Sequence, residues 1–286
     1  MNFDEHRIAT GDGIRVYARD YLCEGALKLP VVCLHGLTRN SADFEAVAPM
    51  IAGLGRRVVA IDARGRGKSD NDPEPARYRP DIYVADVLRV MDTLNVPRAV
   101  FLGTSMGGIM TMIAASAAPA RVAAAILNDI GPVLDPRGIA RIASYVGKSG
   151  PVASWYDMTA AVRAIGETAF PGRDDEFWTT FAHRIARERE DGQIEFAYDP
   201  LIAQAFAAPP AEPPPSLIPH FEALAQVPVL LVRGALSDLL SPEGVETMRR
   251  IKPDLELVEV PGVGHAPTLE EPQAWDAIAA FLARVE

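Results

Sequence analysis

Short, unbroken apolar runs alternate along the chain with longer segments whose apolar residues recur at helical spacing. Unbroken runs rich in β-branched residues are typical of strands buried on both faces of a parallel sheet, and they predict strands at 31–34, 58–61, 99–102, 122–127, 229–232 and 255–260. Helical spacing predicts helices at 41–54, 80–94, 105–118 and 272–285. We therefore predict a parallel α/β sheet with right-handed crossovers and helices on both faces.

Two segments depart from this alternation. Residues 6–10 and 14–19 flank a Gly-containing turn, which predicts an N-terminal β-hairpin. Between the strands ending at 127 and beginning at 229, the pattern predicts helices at 137–147, 152–166 and 174–189 and then a stiff, proline-rich connector at 209–215. We therefore predict a core domain formed by residues 1–130 and 217–286, with a mostly helical insert at residues 131–216.

The composition narrows the possible partners. The 286 residues include 28 Lys and Arg against 38 Asp and Glu, a formal net charge of −10. Such a charge repels phosphate backbones and anionic lipids, so we expect neither a nucleic-acid nor a membrane partner. The acidic start of the sequence lacks the apolar stretch of a secretory signal, which favours a cytoplasmic protein. The partner that we expect is a small-molecule substrate. The oligomeric state stays open.

The segment Gly103-Thr104-Ser105-Met106-Gly107-Gly108 carries the strongest chemical signal. It lies between a predicted strand and a predicted helix, the setting in which G-x-S-x-G holds a nucleophilic serine in a tight turn. The start of the helix offers free N–H groups to a developing oxyanion. An incidental glycine-rich turn is the structural alternative.

A serine needs a base, and the base needs an orienting acid. Of five histidines, His265 follows the last predicted strand and is the predicted base, whereas we expect structural or surface roles for the other four. Asp238 follows the strand at 229–232 and is the predicted acid, in the chain order Ser, Asp, His. Asp129, which also follows a strand, is the alternative acid; Asp238 would then serve only to cap a helix.

Two backbone N–H groups are predicted to bind the oxyanion. One belongs to Met106, directly after the serine, and the other to Leu37, in the loop that follows the strand at 31–34. Gly36 allows the backbone to approach the substrate closely. His35 is predicted to be a structural residue behind this loop.

These motifs resemble the α/β-hydrolase fold family, in the class with a helical cap between the sixth and seventh strands. The matching segments are His35-Gly36, Asp62-Ala63-Arg64-Gly65-Arg66-Gly67-Lys68-Ser69, the serine turn, and the loops of Asp238 and His265. The resemblance implies a mostly parallel eight-stranded sheet with a cap at 131–216, and a turn of structural function at 62–69. Relatives such as haloalkane dehalogenases and epoxide hydrolases carry aspartate where Ser105 stands, so their activities are not expected.

Half of the 20 aromatic residues lie in the insert and the residues just after it. They predict either a core for the insert or an apolar pocket above Ser105, for which Trp155, Tyr156 and Trp178 are the candidates. The insert shows no cationic funnel, although one buried arginine would suffice to bind a carboxylate. Neither a metal-binding motif nor a dinucleotide motif occurs, so we expect no metal and no cofactor.

Together these patterns predict a serine hydrolase that cleaves a carboxylic ester of a small to medium, largely apolar substrate through an acyl-enzyme on Ser105. The same triad would also serve a carbon–carbon bond hydrolase of ring-cleavage dienoates or an enol-lactone hydrolase. A cofactor-free perhydrolase and a non-catalytic ligand receptor are further alternatives.

Overall fold

The computed structural model describes residues 2–23, 25, 28–204 and 216–286, so the predicted connector at 209–215 lies outside the described residues. One eight-stranded sheet forms the centre of the fold, in the order β1-β2-β4-β3-β5-β6-β9-β10. Its strands are β1 (Asp4–Ala9), β2 (Arg15–Tyr21), β3 (Val31–Leu34), β4 (Val58–Ile61), β5 (Ala99–Thr104), β6 (Val122–Asn128), β9 (Val229–Gly234) and β10 (Glu256–Val260).

The sheet is parallel except at its N-terminal edge. β1 pairs antiparallel with β2, and β2 pairs antiparallel with β4, whereas the other neighbours are parallel. The predicted α/β fold with an eight-stranded, mostly parallel sheet is confirmed. Parallel pairing brings the carboxyl ends of β3, β5, β6 and β9 to one edge, and the loops that follow them meet there.

Helices cover both faces of the sheet. They are α1 (Val47–Gly53), α2 (Pro80–Thr93), α3 (Met106–Ala117), α7 (Ile218–Glu222), α8 (Pro242–Ile251) and α9 (Pro272–Arg284). Successive residues of β5 point to opposite faces, so Phe101 packs in one buried cluster with α2 and α3, and Val100 packs in another with α1 and α9. Within the described parts of the chain, every helix lacks either the length or the apolar character needed to cross a membrane.

The insert follows β6 and contains α4 (Pro136–Tyr145), α5 (Trp155–Gly166) and α6 (Asp175–Ile185). It also contains a small antiparallel hairpin of β7 (Ala186–Glu188) and β8 (Ile194–Phe196). The helix predicted at 174–189 therefore ends early, because its last residues pair with β8 across a turn where Gly192 has a φ of 79°.

Candidate active site

Ser105 lies in a sharp turn between β5 and α3. Its φ of 52° and ψ of −113° are conformations that L-residues rarely adopt. The turn is possible because two glycines allow the backbones to touch: a Cβ on Gly103 would overlap the backbone of Gly107, and a Cβ on Gly107 would overlap the carbonyl oxygen of Leu34. Ser105 is only 9% exposed and stands at the start of α3.

His265 reaches Ser105 from the loop after β10. The Oγ of Ser105 lies 2.8 Å from the Nε2 of His265, and the Nδ1 of His265 lies 2.8 Å from Oδ2 of Asp129. Because the carboxylate accepts the Nδ1 proton, Nε2 is left to accept the serine proton. We call this hydrogen-bonded chain of Ser105, His265 and Asp129 the relay.

Asp129 is fully buried at the end of β6, and its carboxylate has further donors. Oδ1 accepts from the backbone N–H of Gly234, 2.8 Å away, and Oδ2 also accepts from the Oγ of Ser237, 2.6 Å away. Such hydrogen bonds satisfy the oxygens of a carboxylate that lies out of water and hold it in position. The backbone of Asp129 has a φ of 56°, in the left-handed region that residues other than glycine rarely adopt.

The structure corrects the acid predicted from the sequence. Asp238 forms a two-pronged ion pair with Arg141 of the insert, at 2.5 Å from Nε to Oδ2 and 2.8 Å from Nη2 to Oδ1. These hydrogen bonds lower the pKa of Asp238 and commit both of its oxygens. β6 lies between β5 and β9 in the sheet, so Asp129 emerges beside the strand that carries Ser105, and Asp129 takes the place predicted for Asp238.

The loop after β3 contains Leu37, whose N–H is the second predicted oxyanion donor. An added Cβ on Gly36 would lie 3.8 Å from the Cβ of Ser105, so this loop runs directly beside the serine. The Gly36 carbonyl accepts from Nδ1 of His35 at 2.7 Å and from the N–H of Arg39 at 3.1 Å. In a trans peptide the N–H points opposite to the carbonyl, so these two bonds also fix the direction of the Leu37 N–H.

His35 is a structural residue in this geometry. Its Nε2 accepts from the N–H of Ala63 at 3.0 Å, which joins the loops after β3 and β4. Burial lowers the pKa of His35 to about 3, so the ring is neutral and keeps one donor and one acceptor nitrogen. The turn at 62–69 is held similarly, since the buried carboxylate of Asp62 accepts from the N–H groups of Ser41 and Lys68.

Ser105 and His265 line two different cavities. The larger has a volume of about 350 Å³ and is lined by Ser105, Met106 and Leu37 together with aliphatic side chains such as Ile109 and Ile142. The smaller has a volume of about 70 Å³, and beside His265 its polar lining consists of Thr38, Arg39, Arg141, Tyr145 and Tyr198. One cavity is therefore apolar and the other rich in hydrogen-bond donors.

The three aromatic residues predicted for the substrate pocket lie elsewhere. Trp178 is fully buried in a cluster of aromatic rings inside the insert, with Phe177 at 5.1 Å between ring centroids. Trp155 stacks on His183 at 3.8 Å, and Tyr156 is 83% exposed. These residues serve the core and the surface of the insert because α5 and α6 pack against each other there. The aromatic lining of the small cavity comes instead from Tyr145, Phe170, Phe181, Phe196 and Tyr198.

Sequence reasoning missed three polar residues of the site. Ser237, next to the predicted acid, donates a hydrogen bond to Asp129. Its position just beyond the end of a strand was the only sequence feature that could have indicated this role. Arg39 and Arg141 line the small cavity from the loop after β3 and from α4. Arg39 follows the predicted oxyanion loop in the sequence. Nothing in the sequence distinguishes Arg141 from the other arginines of the insert.

Comparisons with known proteins agree with this architecture. The model of the alpha/beta hydrolase family matches residues 31–278. A 3-hydroxybutyrate-oligomer hydrolase from Cupriavidus necator is 36% identical over an alignment that covers 85% of this chain and 84% of the relative's length. A 2-(acetamidomethylene)succinate hydrolase from Mesorhizobium japonicum is 30% identical over 81% of this chain and 79% of its own. The crystal structure of an alpha/beta hydrolase from Novosphingobium aromaticivorans superimposes with a TM-score of 0.92, at 40% identity and 99% coverage of both chains.

Proposed function

The chain belongs to the alpha/beta hydrolase family, and from that premise we propose that it is a serine hydrolase that cleaves carboxylic esters through an acyl-enzyme on Ser105. The observation that carries this proposal is the relay, in which both hydrogen bonds of His265, to Ser105 and to Asp129, measure 2.8 Å. A serine so paired to an imidazole, itself held by a buried carboxylate, is the arrangement that activates the hydroxyl for acyl transfer.

In the proposed reaction, His265 Nε2 takes the proton of Ser105 as Oγ attacks the ester carbonyl carbon. The negative charge moves to the carbonyl oxygen, which accepts hydrogen bonds from the N–H groups of Leu37 and Met106. The tetrahedral intermediate then expels the alcohol, which receives its proton from His265. Water, deprotonated by His265, then attacks the acyl carbon. The second tetrahedral intermediate releases the acid as Ser105 Oγ takes back its proton from His265. Asp129 holds the imidazole in the required tautomer and stabilises its charged form.

The large cavity supports a medium-sized, apolar acyl group. It begins at Ser105, continues along aliphatic side chains and has a volume of about 350 Å³, which falls within the range of small-molecule sites. The family relatives from Cupriavidus necator and Mesorhizobium japonicum are themselves hydrolases.

We extend the proposal to the insert, residues 131–216, as a cap over the site and a unit distinct from the core of 1–130 and 217–286. Helix α4 supplies Ile139 and Ile142 to the large cavity and Arg141 and Tyr145 to the small one. A substrate bound at Ser105 would therefore be enclosed by the sheet edge below and by α4 above.

Initial rates on p-nitrophenyl esters of increasing acyl length test this function. We expect turnover of the parent protein to be greatest for a medium acyl chain, and to fall by several orders of magnitude in Ser105→Ala. Ser116→Ala, on the same helix and exposed, is the matched control and should retain the parent rate. Equal rates in the parent protein and Ser105→Ala would contradict the proposal, as would the absence of turnover on every ester.

A further inference from the structure

We infer that the leaving group of the substrate carries a carboxylate, which Arg39 and Arg141 bind in the small cavity beside His265. The substrate class is then an ester between an apolar acid and a short hydroxy acid. This inference rests on the proposed function, because it assigns the two parts of an ester to the two cavities.

The side occupied by the leaving group follows from the proton transfer. The alcohol oxygen must receive its proton from Nε2 of His265, so it lies within hydrogen-bond reach of that atom. His265 lines the small cavity, whereas Ser105, Met106 and Leu37 line the large one. The alcohol part therefore extends into the small cavity, and the acyl part stays in the large one, near the two N–H groups proposed for the oxyanion.

Both arginines of the small cavity keep donor groups for a ligand. Arg141 uses Nε and Nη2 to bind Asp238, and Arg39 uses Nε at 2.9 Å and Nη2 at 2.7 Å to bind Asp43. A guanidinium has five N–H donors, so each arginine carries more donors than its aspartate accepts. The ring of Phe181, 4.0 Å below the guanidinium carbon of Arg39, further holds that side chain in place.

The remaining lining suits a short hydroxy acid. Burial raises the pKa of Tyr145, so its hydroxyl keeps its proton and can donate to an anion. Val162 and Ile165 form an apolar wall that matches the aliphatic carbons between a hydroxyl and a carboxylate. Asp43 and Asp238 balance the charges of the two arginines. Recognition of a substrate carboxylate therefore depends on directed hydrogen bonds more than on excess positive charge.

Three matched esters test the inference. In 3-(butanoyloxy)butanoate the carboxylate is on the alcohol side, its methyl ester has no charge, and monobutyl succinate has the carboxylate on the acyl side. We expect kcat/KM for cleavage of the butanoyl ester of the first compound to be at least about tenfold higher than for the butanoyl ester of its methyl ester and than for the butyl ester of monobutyl succinate, as charge-assisted hydrogen bonds to one carboxylate would give. A ratio near one, or a preference for monobutyl succinate, would overturn the inference.

Variants then connect the preference to the two arginines. Arg39→Gln and Arg141→Gln should each lower the ratio between the charged ester and its methyl ester by about fivefold or more. Arg137→Gln is the matched control, because Arg137 lies on the same helix as Arg141, has a side chain 77% exposed and pairs with Asp135. An unchanged ratio in both arginine variants, or an equal loss in Arg137→Gln, would contradict the assignment.

A measurement without variants supplements these rates. With p-nitrophenyl butanoate as substrate, 3-hydroxybutanoate should inhibit the parent protein competitively, and 3-hydroxybutanamide should inhibit far less; equal inhibition by both overturns the inference.

The two proposals can fail separately. Ser105-dependent turnover of p-nitrophenyl butanoate without preference for the charged ester would leave the serine hydrolase standing, whereas turnover independent of Ser105 would remove both.

Discussion

Asp129 receives hydrogen bonds from three separate segments: the end of β9, the loop that follows it and the loop of His265. The bonds from Gly234 and Ser237 hold the carboxylate in place for its bond to the imidazole of His265. In Asp238, by contrast, both carboxylate oxygens accept hydrogen bonds from Arg141. At the scale of single residues, this difference separates a carboxylate that can stabilise a charged imidazole from one that joins the insert to the core.

Exchanging each carboxylate for its amide tests that distinction. Asp129→Asn should lower kcat on p-nitrophenyl butanoate by about 10³- to 10⁴-fold, because an amide favours the wrong imidazole tautomer. Asp238→Asn should lower it by less than about fivefold, the scale of a partly exposed ion pair. Steady-state rates, with thermal melts to show that both variants fold, give the answer. The reverse order of effects would return Asp238 to the role predicted from the sequence.

The residues that could be predicted from the sequence are those whose local context is distinctive. Ser105 stands between glycines at a strand-to-helix junction, and His265 follows the last strand. Asp238 is the acid predicted from the sequence, with Asp129 as the alternative, but the sequence gives no ground for the right choice, because both residues follow strand ends and both satisfy the chain order. The contact that distinguishes the two aspartates is the ion pair of Asp238 with Arg141, which lies 97 positions away in the chain. No local sequence pattern reveals a contact between residues so far apart.

At the scale of elements, the contact between α3 and β3 sets the position of Ser105. Gly107 lies in the first turn of α3 against the carbonyl of Leu34, and this close approach brings the start of the helix beneath the sheet edge. A side chain at Gly107 would move α3, and with it the serine and the Met106 N–H.

Alanine substitutions of two helical glycines measure this contact. Gly107→Ala should lower the free energy of unfolding by about 3 kcal/mol, because backbone must move to admit the methyl group. Gly53→Ala, at the end of α1, is the control: apart from its own helix backbone and chain neighbours, no atom lies within 4 Å of its added Cβ, so it should raise the free energy of unfolding by about 0.4–1 kcal/mol. Urea unfolding gives both values. Similar stabilities for the two variants would contradict the assigned role of Gly107.

Elements could be predicted where burial makes their pattern uniform. The central strands β3, β4, β5, β6 and β9 are buried almost throughout, which accounts for the success of the apolar runs as a signal. β7 has only three residues, two of them exposed, and it continues directly from α6. Its pairing with β8 depends on a turn and a partner strand, so the helical pattern before it extended too far.

At the scale of the whole molecule, the insert is joined to the core by backbone hydrogen bonds as well as side chains. The N–H of Gly67 donates to the carbonyl of Ala197 at 2.7 Å, and the N–H of Gly264 donates to that of Ala169 at 2.7 Å. The hydroxyl of Tyr78 donates to Asp199 at 2.6 Å. Contacts at so many separate points favour unfolding of insert and core together.

Tryptophan fluorescence tests this coupling. Of the three tryptophans, Trp155 and Trp178 lie in the insert and Trp275 lies on α9. In Trp275→Phe, fluorescence reports the insert alone, while far-ultraviolet circular dichroism reports all helices and strands. We expect the two urea transitions to coincide, as in a two-state protein. A fluorescence transition at clearly lower urea would show an insert that unfolds first.

The placement of Asp129 has a consequence for how the chain can be redesigned. Ser105 and Asp129 emerge from the neighbouring strands β5 and β6, joined by the single helix α3. The loop after β9 is then bound to the insert through Asp238 and Arg141. The insert and the loop after β9 should therefore be replaced together in redesign. Such an exchange would change substrate preference and leave the β5–α3–β6 segment, with Ser105 and Asp129, unaltered.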